Sequence, residues 1–146
     1  MKSFCVRHYN GRLPNPLLIW IALSHWGNVL DVSTCTNVIE LSNTTHFGQT
    51  DMVIDSFGRI VHARIVINTQ AIKTNGLFYN VLLHELGHAN GLHHPAIDDG
   101  SIMSYKVLIA GNDVIQNVRF FTNPNVFIPF SPFASLTYKG NFYETN

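Results

Sequence analysis

His84, Glu85, His88, Gly91 and His94 stand in the spacing H-E-x-x-H-x-x-G-x-x-H, and Met103 follows in the segment Ser101-Ile-Met-Ser-Tyr105. Residues four apart on an α-helix lie one turn above each other on the same face. His84 and His88 can therefore present two imidazole nitrogens to one ion at about 2.0–2.1 Å. Glycine after a helix supplies a left-handed turn without a Cβ penalty, so Gly91 can bring His94 back as a third ligand. Three neutral histidines on zinc leave a fourth position for water, whose pKa the ion lowers to roughly 7. Glu85 lies about 100° round the helix from His84, beside the ion and not on it. That is the place for a general base that takes a proton from the attacking water and hands it to a leaving amine. The constellation points to metal-assisted hydrolysis of peptide bonds.

These side chains need a helix to hold them, and the pattern predicts one over about 76–90. Thr74-Asn75 offers a start, and Leu77, Val81, Leu82, Leu83 and Leu86 can bury against a core. Upstream, alternation predicts strands over about 3–9, 37–41, 51–55 and Ile60–Ile67. In the last, Ile60, His62, Arg64 and Val66 fall on one face, with Val61, Ala63, Ile65 and Ile67 on the other. Arg64 is expected to face solvent. A helix over about 17–30 would bury Ile19, Leu23, Trp26 and Leu30 as one stripe. Ser42 to Gln49 reads as a loop, and Asn43-Thr44-Thr45 in it is a glycosylation sequon should the chain be secreted. Asn112-Asp113 can cap a final helix near 112–121.

On these residues the chain resembles the metzincin clan of zinc endopeptidases. His84, Glu85, His88, Gly91 and His94 match the clan's extended zinc motif, and Met103 matches its Met-turn. The resemblance covers about residues 3–121. It implies a metzincin-like α+β fold: a twisted, mostly parallel mixed sheet of about five strands, packed on two long helices plus a C-terminal helix. It further implies that Met103 floors the metal without ligating it, and that one of the later strands holds extended substrate. Tyr105 matches the tyrosine that astacins and serralysins use as an extra ligand or oxyanion partner, and Pro95 after the third histidine is serralysin-like. The short gap from His94 to Met103 is instead matrixin-like, so a compact matrixin-like form is expected. Lys106, Val107 and Leu108 would line the specificity pocket. An extracellular location is also implied.

Composition sets the outer limits. The 146 residues suit a single domain, 1–146, with 122–146 as a Pro- and Phe-rich extension expected to pack across the body. Hydrophobic content of 46% against 12% charged excludes a disordered chain. Nine basic and nine acidic residues leave no net charge and no argument for nucleic acid. The longest apolar run, Leu17 to Leu23, is far short of the ~20 residues that span a bilayer, and no secretory signal is visible. The expected partner is a polypeptide substrate, with no nucleic acid, no membrane and a monomeric chain. One zinc ion is the expected cofactor, and nothing supports calcium. The resemblance implies that Cys5 lies on the first strand and that Cys35 leads into the second, so they could meet, and buried free thiols fit at least as well. His46, Asp51 and His62 are the only local candidates for a second, structural metal, at a spacing that fits no familiar closed site. His93 is expected to point away from the metal, and Asp98 and Asp99 read as turn residues. Two other functions stand beside hydrolysis of peptides: an interaction module that binds zinc without turnover, and a metal-dependent hydrolase of another amide.

Overall fold

The structure, a computed structural model, describes residues 2–44, 46–94 and 102–103. Tyr105, Pro95, the predicted 112–121 helix, the 122–146 extension, Asp98, Asp99 and Lys106 to Leu108 lie outside the described residues.

In chain order the elements are β1 (Ser3–His8), α1 (Pro16–His25), β2 (Val29–Leu30), β3 (Asn37–Ser42), β4 (Gly48–Ile54), β5 (Ile60–Asn68) and α2 (Asn75–Ala89). The fold is α+β. The five strands form one sheet in the order β2-β1-β3-β5-β4. β1 pairs in parallel with β2 and β3, and β3 with β5, while β4 runs antiparallel to β5 at the edge. The core fills the space between the sheet and the two helices. Phe4, Ile39, Leu41, Ile65 and Ile67 from the strands meet Leu23 from α1 and Phe78, Leu82 and Leu83 from α2. β3 is buried from Asn37 to Leu41, as a central parallel strand must be.

Both helices begin and end on local chemistry. Asn15 caps α1 through Oδ1, which accepts from the Leu17 amide at 3.0 Å, and Pro16 occupies the first helical position. Thr74 caps α2, its hydroxyl oxygen accepting from the Leu77 amide at 3.2 Å. At the other end of α1, Gly27 takes φ 71°. The Gly27 amide then donates to the Ser24 carbonyl at 3.0 Å and the Asn28 amide to the Leu23 carbonyl at 2.8 Å. This glycine-terminated pair of bonds ends the helix five residues before the expected residue 30. Leu30, expected in the buried stripe, sits instead in the edge strand β2 and is 42% exposed.

Three further expectations change. β4 begins at Gly48, three residues before the expected 51, so Gly48 and Thr50 belong to the sheet. Their burial alternates with Gln49 and Asp51, which places both on the face that packs against α2. A bulge between Val53 and Ile54 leaves Val61 unpaired in the register: Val53 opposes His62, and Ile54 opposes Ile60. The extra residue shifts the alternation, turning Val61 outward and packing Ile60 against the core. Cys5 and Cys35 form a disulfide, with Cα atoms 5.1 Å apart, tying β1 to the segment that leads into β3.

The outer face of the sheet is polar where Arg64 lies. Its guanidinium makes a two-pronged contact with Glu40 of β3, at 2.9 and 2.8 Å, and reaches Asp51 of β4 at 3.3 Å. Arg64 is therefore only part-exposed, and it joins three neighbouring strands instead of pointing into water.

Candidate metal centre

α2 is buried from Phe78 to Ala89, and His84, Glu85 and His88 are all fully enclosed. A helix so enclosed rarely carries histidines and a carboxylate unless each has a partner. The partners can be followed atom by atom.

His84 hydrogen-bonds through Nδ1 to the Ile102 carbonyl at 2.7 Å, and His88 through Nδ1 to the Leu92 carbonyl at 2.8 Å. A carbonyl oxygen can only accept, so both Nδ1 atoms carry the proton, and both Nε2 atoms present lone pairs. Those two Nε2 atoms lie 3.1 Å apart, and Nε2 of His94 lies 3.1 Å from Nε2 of His84. Two lone pairs facing each other at that distance repel unless a positive charge sits between them. A proton is a poor candidate. Burial first, then the neighbouring imidazoles, hold His84 and His88 well below the ordinary histidine range, and burial pushes His94 down to about 4. A metal ion is the fitting one. Two nitrogens on one tetrahedral zinc stand roughly 3.3–3.4 Å apart, within a few tenths of the spacing here. Among the described residues, His84, His88 and His94 are the one cluster of three potential ligands close enough to share an ion.

The turns that follow α2 build the second half of the site. Gly91 has φ 98°. Its amide donates to the His88 carbonyl at 2.9 Å, and the Leu92 amide to the Gly87 carbonyl at 2.9 Å. This helix-ending arrangement sets the Leu92 carbonyl against His88 Nδ1 and then delivers His94. Asn90 reinforces it, donating to the Leu86 carbonyl at 2.7 Å and to Asn28 Oδ1 at 2.9 Å. From the other side, Ile102 supplies the carbonyl that orients His84, and Met103 lies fully buried against α2. Partners of this kind fix ring orientation and tautomer in metal sites.

Gly87, between the two helical histidines, makes that approach feasible. A Cβ there would lie 2.3 Å from Met103 Sδ and 3.2 Å from Trp26 Cζ2. Trp26 in turn donates its indole N–H to the Leu83 carbonyl at 3.1 Å. A mid-helix glycine is unfavourable by about 1 kcal/mol relative to alanine, and that cost is the signal in the sequence that marks close packing here.

Glu85 is held by β4. The Thr50 hydroxyl donates to Glu85 Oε2 at 2.6 Å, and Oε1 is buried with no hydrogen-bond partner among the described residues. Burial pushes the Glu85 carboxyl up to about 8, with the Thr50 bond acting the other way and the Asp51 charge adding to the rise. A divalent cation nearby would pull it back down. Gly48 falls in the run 42–49 that reads as loop, and Thr50 stands between that loop and the strand expected from 51, so neither is marked as part of the site.

The structure thus brings together His84, His88, His94 and Met103, with Glu85 next to His84 in the same helix. Tyr105 lies outside the described residues. Of the suggested second-metal residues, His62 Nδ1 contacts the Thr36 carbonyl and Asp51 pairs with Arg64. His93 is half-buried, and its charge opposes protonation of His94. No protein-family model, no curated protein and no solved structure matches this chain.

Proposed function

We propose that the chain is a zinc-dependent endopeptidase of metzincin type. The observation that carries this reading is the convergence of three imidazoles on one point, two with their lone pairs fixed inward, with the buried Glu85 following His84 in the same helix. Zinc bound there would supply a water acidic enough to ionise near neutral pH and a Lewis acid for the scissile carbonyl. His84, His88 and His94 hold the ion, and the Ile102 and Leu92 carbonyls keep the first two in the ligating tautomer. Glu85 takes a proton from the attacking water and returns it to the departing amine. Met103 packs beneath, against Gly87.

The sheet supports the same reading. β4 lies at the edge, and its Thr50 reaches Glu85. An edge strand offers unpaired backbone groups to an extended peptide. A substrate laid along β4 would pass the histidine cluster with its backbone held straight. The five-stranded, mostly parallel mixed sheet and its two helices are compatible with the α+β class that the resemblance implies. The disulfide fits an oxidising compartment, hence secretion.

The test is incubation of the zinc-loaded full chain with a library of quenched, unstructured peptides, with and without chelator. Internal cleavage that the chelator abolishes and zinc restores is the expected result. Stoichiometric zinc with no cleavage would leave a zinc-binding interaction module in its place.

A further inference from the structure

We infer that Thr50 is a positioning residue for Glu85, fixing which carboxylate oxygen acts as the base. A glutamate χ3 torsion is broad and roughly two-fold, so the two oxygens are interchangeable unless something distinguishes them. Here something does. Thr50 Oγ1 donates to Oε2 at 2.6 Å, at the short end for a hydroxyl–carboxyl bond, and both side chains are fully buried. The hydroxyl also lies 3.2 Å from the Glu85 backbone carbonyl, so the same atom senses both ends of the residue. Oε2 is thereby engaged, and Oε1 is the oxygen with no hydrogen-bond partner among the described residues. Gly48, two residues earlier on the same face of β4, leaves room for it: a Cβ there would come within 3.0 Å of Oε1 and 2.9 Å of Glu85 Cγ. The strand that offers its edge to a peptide is therefore also the strand that holds the Glu85 carboxyl. The turnover half of this inference rests on the peptidase reading; the orientation of Glu85 does not.

The test uses the full chain loaded with cobalt(II) or zinc, as wild type, Thr50→Val and Thr50→Ser. Two readouts are taken: peptide turnover, and binding of acetohydroxamate to the cobalt form, followed by its visible spectrum. Acetohydroxamate chelates a metal and gives up an acidic O–H proton as it does so, which a correctly aimed carboxylate accepts. Thr50→Val is expected to keep one metal per chain and an unchanged cobalt spectrum. It should weaken hydroxamate binding at least tenfold and lower kcat ten- to a hundredfold with KM within twofold; Thr50→Ser should restore both. Wild-type hydroxamate affinity or wild-type kcat in Thr50→Val overturns the inference. Should wild type bind hydroxamate in a Thr50-dependent way and yet cut no peptide, the positioning role stands and the peptidase reading falls. Should Thr50→Val fail to fold, the unaltered protein decides by NMR. A slowly exchanging Thr50 hydroxyl proton close to the Glu85 side chain supports the inference, and a freely exchanging one overturns it.

Discussion

Replacing Gly87 with alanine should destabilise the protein, although the same exchange in most helices stabilises it. In an open helix, Gly→Ala is favourable by about 1 kcal/mol, because alanine gives up less backbone freedom and exposes less backbone. At position 87 the new methyl would lie 2.3 Å from Met103 Sδ. Carbon and sulfur need close to 4 Å, so one side must yield by about 1.5 Å. Met103 is flexible in principle, but it is fully buried, and Trp26 Cζ2 stands 3.2 Å from the same methyl. Overpacking of this kind costs typically 1–3 kcal/mol, which offsets the helix gain of about 1 kcal/mol and leaves a net loss of up to about 2 kcal/mol. The disturbance should not stop at stability. Ile102 precedes Met103, and its carbonyl orients His84 at 2.7 Å; moving that turn should weaken zinc binding by about 10–100-fold, as loss of other outer-shell partners does. Urea unfolding of the apo chain and competitive zinc titration measure the two effects. A Gly87→Ala protein that is more stable by about 1 kcal/mol and binds zinc as well as wild type would show that Met103 does not pack on α2.

Other perturbations address separate parts of the account. Glu85→Gln should keep one zinc per chain and lower kcat by about 10²–10⁴-fold, measured on the best library peptide; retained turnover would remove Glu85 from the chemistry. Saturating zinc at about a thousand times its Kd should stabilise the fold by about 4 kcal/mol, and His94→Ala should abolish most of that gain in thermal unfolding; an unchanged gain would exclude His94 as a ligand. Opening the Cys5–Cys35 bridge by Cys→Ser should cost about 3–4 kcal/mol, from the 30-residue separation it closes. A loss well under 1 kcal/mol would show that the bridge does not constrain the unfolded chain.

The site was legible where its chemistry is local. A four-residue step along one helix fixes His84 against His88, and Gly91, in a conformation that commonly ends a helix, turns the chain towards His94. Met103 is marked by the Met-turn resemblance and not by any local period. What escaped depends on register between distant strands. Thr50 meets Glu85 across 35 residues, and no period or propensity links them. The start of β4 is hidden because Gly48 falls in the polar run 42–49 that reads as loop, although its lack of a side chain is what lets β4 fit against α2. The end of α1 was missed although Gly27-Asn28 is a stop signal, because the apolar spacing of Trp26 and Leu30 outweighed it. The disulfide joins cysteines whose meeting depends on β1 pairing with β3. The strand signals lie over β1, β3, β4 and β5 but not over β2, which falls in the expected helix, and they do not anticipate the bulge that turns Val61 outward.

X-ray absorption at the zinc edge of the metal-loaded chain tests the central claim most directly. The account predicts one zinc per chain with three imidazole nitrogens and one further light atom, all at about 2.0–2.1 Å. Fewer than three imidazoles, or a chain that takes up no stoichiometric zinc, would contradict it.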